Sequence, residues 1–166
     1  MADIQFKGDP VKTSGQLPAK ASKATDFELV STDLSTKSLK DFEGKRVIMN
    51  IFPSLDTGVC ATSVREFNKR AAALDNTVVL NISRDLPFAQ KRFCGAEGID
   101  NVEMLSDFRG GKFGGDYGLD MTDGPLEGLL SRSVIVLDED HNVVYSEQVP
   151  EITQEPDYDS AINTFS

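Results

Sequence analysis

The order of segments along this chain predicts an α/β domain: a central mixed β-sheet with helices on both faces and an N-terminal β-hairpin. Three observations carry that expectation. Between residues 46 and 106, apolar runs alternate with helix-period segments in the order strand, helix, strand, helix, strand, the pattern of a sheet crossed by helices. Two β-branched runs flanking Asp138-Glu139-Asp140-His141-Asn142 then predict a hairpin, followed by a final helix. At 166 residues the chain suits one domain with a real core, residues 1–166, with no internal repeat or linker.

Each element has its own reason. Ile4-Gln5-Phe6-Lys7 and Val11-Lys12-Thr13 alternate around a turn at Gly8-Asp9-Pro10, giving the N-terminal hairpin. Leu17-Pro18 and the polar stretch to Thr25 form a loop, and Phe27 to Ser31 reads as a half-exposed strand. Ser35 to Phe42 reads as a helical turn entered from a polar cap and stopped by Gly44. Arg46 to Phe52, bounded by Lys45 and Pro53, suits a buried central strand. From Ala61 onward, Val64, Phe67, Ala71 and Leu74 recur at helical spacing until Asp75-Asn76 breaks the pattern. Thr77 to Ser83 is the next strand, Pro87 opens a helix that runs to Gly98, and Val102 to Ser106 is a short strand. The glycine-rich stretch Phe108 to Gly128 is mostly loop, with one helical turn near Phe113 to Tyr117. Arg132 to Leu137 and Val143 to Tyr145 make the second hairpin, and Tyr158, Ala161, Ile162 and Phe165 mark one face of a last helix entered at Pro156.

Composition excludes several functions. The chain is 39% hydrophobic and 27% charged, with a formal net charge of −10, ordinary values for a soluble globular protein. An acidic balance argues against nucleic acid as a partner, since nonspecific binding needs a basic footprint. It argues equally against docking on anionic membranes. Met1 to Lys7 lacks the basic start and apolar core of a leader, and no run approaches a membrane span. A cytoplasmic location is the default that follows, and there cysteines are reduced, catalytic or redox-sensing more often than permanent staples. Two cysteines and one histidine are too few for a four-ligand Cys/His zinc site unless carboxylates complete it.

Cys60 is the most informative residue. It lies between an apolar strand and a helix, where unpaired backbone N–H groups and the positive end of the helix dipole favour the reactive thiolate. A cysteine in an apolar setting is more often a buried structural thiol, but the local sequence points elsewhere. Pro53 ends the strand and fixes the turn, and Thr57, three residues before Cys60, lies one helical turn from the sulfur. Cys94 is the second and last cysteine: a buried helix residue taken alone, a possible partner beside a reactive Cys60. His141 would have to lie beside Cys60 for a cysteine-protease dyad, and its place in a polar turn predicts a solvated side chain instead. Gly110-Gly111 and Gly114-Gly115 lack the strand-to-helix context of a phosphate loop and read as flexibility near the site. Asp138 and Asp140 fit turn chemistry better than cation binding. Val59, Leu126, Leu129 and Leu130 suit a substrate pocket, the core or a dimer contact equally.

The pattern Pro53-x-x-x-Thr57-x-x-Cys60 resembles the signature of peroxiredoxins. Given a cysteine, the two other fixed residues coincide by chance at roughly 0.3%, taking about 5% usage for each. The wider segments resemble the thiol peroxidase branch: Phe52 to Cys60, Arg65-Glu66-Phe67-Asn68, Ile82 to Ala89, Arg92-Phe93-Cys94, and Gly124-Pro125-Leu126 with Leu129-Leu130-Ser131-Arg132. The likeness covers nearly the whole chain, with no departure at the motif positions.

The resemblance implies a thioredoxin-like fold and a thiol-dependent peroxidase. Cys60 would be the peroxidatic nucleophile. Thr57 would hydrogen-bond the thiolate and the incoming peroxide, and Arg132 would set a guanidinium beside both. Cys94 would resolve the sulfenic acid into an intramolecular Cys60–Cys94 disulfide. A close guanidinium should favour the thiolate more than a helix dipole does, and fixed donors at the leaving oxygen lower the barrier to O–O cleavage. Two thiols on separate helices do not meet disulfide geometry without movement, so one of the two segments should unwind. The substrate would be hydrogen peroxide or an alkyl hydroperoxide, the latter favoured by apolar neighbours of Cys60. Thioredoxin would be the reductant and a homodimer the assembly, with no metal, haem, flavin or nicotinamide required. Two competitors stand beside this reading. A disulfide oxidoreductase of the same fold would carry Cys-x-x-Cys, where position 57 here is threonine. A non-enzymatic peroxide sensor would be oxidised once and pass its disulfide to a partner.

Overall fold

The structure, a computed structural model, describes residues 3–165; Met1 and Ala2 of the stretch read for a leader, and the side chain of Phe165, lie outside what is described. In chain order the elements are β1 (Asp3–Phe6), β2 (Asp9–Lys12), β3 (Leu29–Ser31), β4 (Thr36–Lys37), a 3₁₀ turn (Leu39–Phe42), β5 (Arg46–Ile51), α1 (Gly58–Ala71) and β6 (Thr77–Ser83). They continue with α2 (Pro87–Glu97), β7 (Glu103–Ser106), α3 (Lys112–Asp116), β8 (Ser133–Leu137), β9 (Val143–Gln148) and α4 (Tyr158–Ile162), which passes into a second 3₁₀ turn (Asn163–Phe165).

Seven strands form the central sheet in the order β4-β3-β7-β6-β5-β8-β9. β5, β6 and β7 run parallel, joined through α1 and α2, and the remaining pairs are antiparallel. The period-2 alternation of β5 divides the core between the two faces. Val47, Met49 and Ile51 pack with Phe27, Phe113 and Tyr117 on one side. Ile48 packs with Phe67 of α1 and Ala161 of α4 on the other. A third cluster, Phe52, Leu55, Cys60, Val64, Phe93 and Met104, joins the start of α1 to α2. No helix among the described residues is long and apolar enough to cross a membrane.

Four details differ from the sequence expectation. The first hairpin turns at Lys7-Gly8, both with positive φ, and Pro10 sits inside β2 opposite Gln5. The missing amide of Pro10 is harmless there, because Gln5 directs its own N–H and C=O outward to Pro150 and Ile152. β3 is buried throughout rather than half exposed, since it is an inner strand between β4 and β7. The turn expected over residues 35–42 divides into the short β4 and a 3₁₀ turn whose start is fixed by Ser38, with its amide donating to the Asp41 carboxylate at 2.8 Å. Finally, α1 begins at Gly58, not Ala61: Thr57 is the N-cap with extended backbone, so Cys60 lies inside the first turn.

Candidate active site

Phe52 and Pro53 are buried at the end of β5, and the loop beyond them is built from local hydrogen bonds. The Thr57 amide and hydroxyl both donate to the Ser54 carbonyl, at 3.2 and 3.0 Å. The Ser54 hydroxyl and the Leu55 amide donate to the two oxygens of the Asp85 carboxylate, at 2.7 and 2.8 Å. This loop delivers Cys60 as the third residue of α1, in the turn whose backbone amides lack intrahelical acceptors. The sulfur is wholly buried. Ser63 donates its hydroxyl to the Cys60 carbonyl at 2.8 Å and accepts from Asn50 of β5 at 3.2 Å, which ties the first turn of α1 to the sheet.

Arg132 immediately precedes β8 and is 1% exposed. Its Nη2 donates to Cys60 Sγ at 3.1 Å and its Nε to the Ile152 carbonyl at 2.7 Å. Gln148 and Val149 donate to its backbone carbonyl and fix the strand start. Its Nη1 has no hydrogen-bond partner, and no carboxylate pairs with the guanidinium among the described residues. A buried cation without an acid partner is costly, so the site favours a negative group at the sulfur and one more acceptor at Nη1.

The remaining candidates divide. Thr57 is exposed, and its hydroxyl proton is directed at Ser54, not at the sulfur; its oxygen keeps its acceptor capacity. Cys94 lies in the last turn of α2, half-buried against the cluster that contains Cys60, and burial pushes its thiol up from the ordinary cysteine range. Both thiols are free. A cleft at the start of α1 is lined by Gly58, Val59 and Thr62 on one side and by Thr153, Gln154 and Glu155 on the other. Neither this cleft nor a larger one beside α3, lined by Phe27, Arg109 and Lys112 among others, is lined by a cysteine. Of the four apolar residues with an open assignment, Val59 lines the smaller cleft, Leu130 is core, and Leu126 and Leu129 pack under the first hairpin.

His141 corrects the sequence reading. It is in the turn, but only 8% exposed, with Nε2–H donating to the Phe42 carbonyl at 3.0 Å. The length of β8 separates it from Arg132, so a Cys60–His141 dyad has no basis. The turn itself follows the expected chemistry: Asp138 accepts from the amides of Asp140 and Asn142. The glycines also differ from expectation, because α3 packs on the sheet face opposite α1. A Cβ on Gly114 would lie 2.4 Å from Arg84 Nη2 and 2.3 Å from Asp120 Oδ1, so this glycine serves close packing. Sequence reasoning gave no role to Asp85, Gln148 or Ile152. For Asp85 a signal existed: an acidic residue between a strand end and the helix-opening Pro87 accepts hydrogen bonds well.

Comparison with known proteins identifies the family. Residues 19–162 match the Redoxin family. Over 162 residues the chain is 55% identical to a thiol peroxidase of Corynebacterium glutamicum, covering 98% of both chains. A peroxiredoxin-like protein from Aquifex aeolicus superposes with a TM-score of 0.92 at 37% identity, covering 98% of this chain and 95% of that one. A thiol peroxidase from Chromobacterium violaceum, at 24% identity, shares the fold, with a TM-score of 0.89 over 95% of this chain and 91% of that one. With a thioredoxin-like sheet, a thiol in the first turn of α1 and a buried arginine against it, the chain belongs to the Redoxin family, as a peroxiredoxin-type oxidoreductase among the thiol peroxidases.

Proposed function

We propose that the chain reduces hydrogen peroxide and alkyl hydroperoxides through a sulfenic acid on Cys60, which Cys94 resolves to an intramolecular disulfide. The observation that carries this reading is the buried Arg132, with Nη2 on the Cys60 sulfur and Nη1 unpartnered. The Cys60 thiolate attacks one peroxide oxygen, the S–O bond forms and the O–O bond breaks. The leaving oxygen departs with the electron pair and takes a proton to become alcohol or water. Arg132 Nη1 is the donor available to the charge growing on that oxygen. The family resemblance assigns Thr57 to the incoming peroxide, and its oxygen retains the acceptor capacity to receive a hydrogen bond from the protonated peroxide oxygen. The sulfur of Cys94 then displaces hydroxide from the Cys60 sulfenic acid; hydroxide and the Cys94 proton leave as water.

Return to the thiols needs two electrons and two protons from an external dithiol, for which the family resemblance points to thioredoxin. The resemblance also supports a homodimer and a cytoplasmic setting. Val59 favours an alkyl substituent, while Thr62 beside it and Thr153 and Glu155 across the cleft leave room for hydrogen peroxide.

The test is peroxide-dependent NADPH loss with thioredoxin and its reductase, comparing wild type with Cys60→Ser and Cys94→Ser. Many turnovers, abolished by Cys60→Ser and strongly reduced by Cys94→Ser, are expected. A single oxidation without turnover, with this or other dithiol reductants, would replace the peroxidase with a sensor.

A further inference from the structure

A hydrogen-bonded chain runs between the two cysteine-bearing segments, and the chemistry above gives it no role. At its centre is Asp85, between β6 and α2. Oδ1 accepts from the Ser54 hydroxyl at 2.7 Å. Oδ2 accepts from the Leu55 amide at 2.8 Å and from the Ser83 hydroxyl at 2.7 Å. The Ser83 oxygen in turn accepts from Gln90 Nε2 at 3.4 Å, and the same Nε2 donates to the Leu105 carbonyl at 2.9 Å. Gln90 is wholly buried and precedes Cys94 by one helical turn on α2. One carboxylate therefore anchors the loop entering Cys60 and, through Ser83 and Gln90, the helix carrying Cys94.

Asp85 has no cationic partner among the described residues. Its charge is held by donors from the segments it connects, and hydrogen bonds to an ionised acceptor are the stronger kind. Two of the three side-chain oxygen contacts come from Ser54 and Leu55, in the loop that leads directly into the Cys60 turn. Asp85 is only partly buried, so water can take the place of those donors once they leave. That combination makes a reversible catch: strong while the loop is folded, and not prohibitive to open.

We propose that Asp85 is a positioning residue that holds the Cys60 loop and α2 in the peroxide-reactive arrangement, and that its release sets how fast Cys94 reaches the Cys60 sulfenic acid. This rests on the reading that Cys60 and Cys94 join. Weakening the catch lowers the fraction of molecules ready for peroxide and raises the fraction in which the sulfurs meet. The two steps move in opposite directions, which a general loss of stability does not produce.

The test is rapid-mixing kinetics of reduced protein with peroxide, quenched at intervals by thiol alkylation and read by intact mass, in wild type, Asp85→Asn, Ser54→Ala and Gln90→Met. In Asp85→Asn and Ser54→Ala, Cys60 oxidation should slow and disulfide formation quicken. Their ratio should shift by about tenfold, the scale of one charge-assisted hydrogen bond, and sulfinic acid at a fixed peroxide excess should fall. Gln90→Met should quicken disulfide formation alone. If Asp85→Asn does not fold, Ser54→Ala and Gln90→Met carry the test. An unchanged ratio, or a slower disulfide step, overturns the proposal. A wild-type protein that forms sulfenic acid but no intramolecular disulfide overturns the underlying mechanism and this proposal with it.

Discussion

Arg132 Nη2 lies 3.1 Å from Cys60 Sγ, although one residue immediately precedes β8 and the other sits in the first turn of α1. The contact exists because β8 pairs directly with β5, with Ser133 opposite Ile51, so the strand start lies beside the strand end that feeds the Cys60 loop. Replacement by an apolar side chain of similar length, Arg132→Met, separates charge from packing. The second-order rate of Cys60 oxidation should fall about 10²–10³-fold, the scale of losing one fixed oxyanion donor. Thermal stability should hold or rise, since an unpaired buried cation is lost. Stopped-flow oxidation and a melting curve decide it; an unchanged rate would remove Arg132 from the chemistry.

Disulfide formation should reshape the segments around the two sulfurs. Cys60 is wholly enclosed and Cys94 is in a different helix, both with free thiols. Hydrogen exchange should therefore speed up in residues 54–62, in residues 87–97, or in both on oxidation. Reduced and disulfide crystal structures that superimpose across these segments would contradict this.

Cys94 should titrate late. Burial disfavours its charged form, so its thiol is raised. The sign follows directly: at a given pH less of it is thiolate than in the unfolded chain. In Cys60→Ser, where Cys94 is the remaining cysteine, alkylation by iodoacetamide should reach half its maximal rate at higher pH in the folded protein than in guanidinium. Coincident midpoints would show that α2 does not shield the sulfur. The same shift keeps Cys94 protonated and slow toward peroxide before resolution.

Arg84 should matter for stability. Its guanidinium bridges Asp107 and Asp120, while Asp107, with a side chain 1% exposed, also accepts from the Gly114 amide. Arg84→Met leaves Asp107 without its cation, for an expected loss of about 3–5 kcal/mol, at the lower end because Arg84 is partly solvated. Burial already holds the Asp107 carboxyl above its ordinary range. With the folded state retaining the proton more tightly, stability falls as pH rises through that range. The deficit should therefore be largest near neutral pH and shrink on acidification, as urea melts at several pH values would show.

How much of this was legible locally depends on where the cause lies. The strands from Arg46 to Leu137 followed from apolar runs, α2 from Pro87 and Gly98, and the place of Cys60 at a strand-to-helix junction from the run that ends at Pro53. The start of α1 did not, because Gly58 is a poor helix former and the N-cap is set by the backbone of Thr57. His141 looked solvated because its neighbours are polar, yet it is buried and its ring is hydrogen-bonded to the carbonyl of the distant Phe42. Gly114 read as flexibility, when the closeness of Arg84 and Asp120 is what requires it. Asp85 had no visible task until the fold brought Ser54 and Leu55 to it. For His141, Gly114 and Asp85 a long-range partner supplies the reason.

The Ile152 carbonyl that receives Arg132 Nε belongs to a segment stitched to the first hairpin: the Gln5 amide donates to Pro150 at 2.7 Å and the Ile152 amide to Gln5 at 2.8 Å. The hairpin thus acts as a gauge for the arginine. Exchange protection at Gln5 and Ile152 reports whether the guanidinium is seated, with no label near the sulfur, and crowding at this edge of the molecule would be felt as a change in peroxide reactivity.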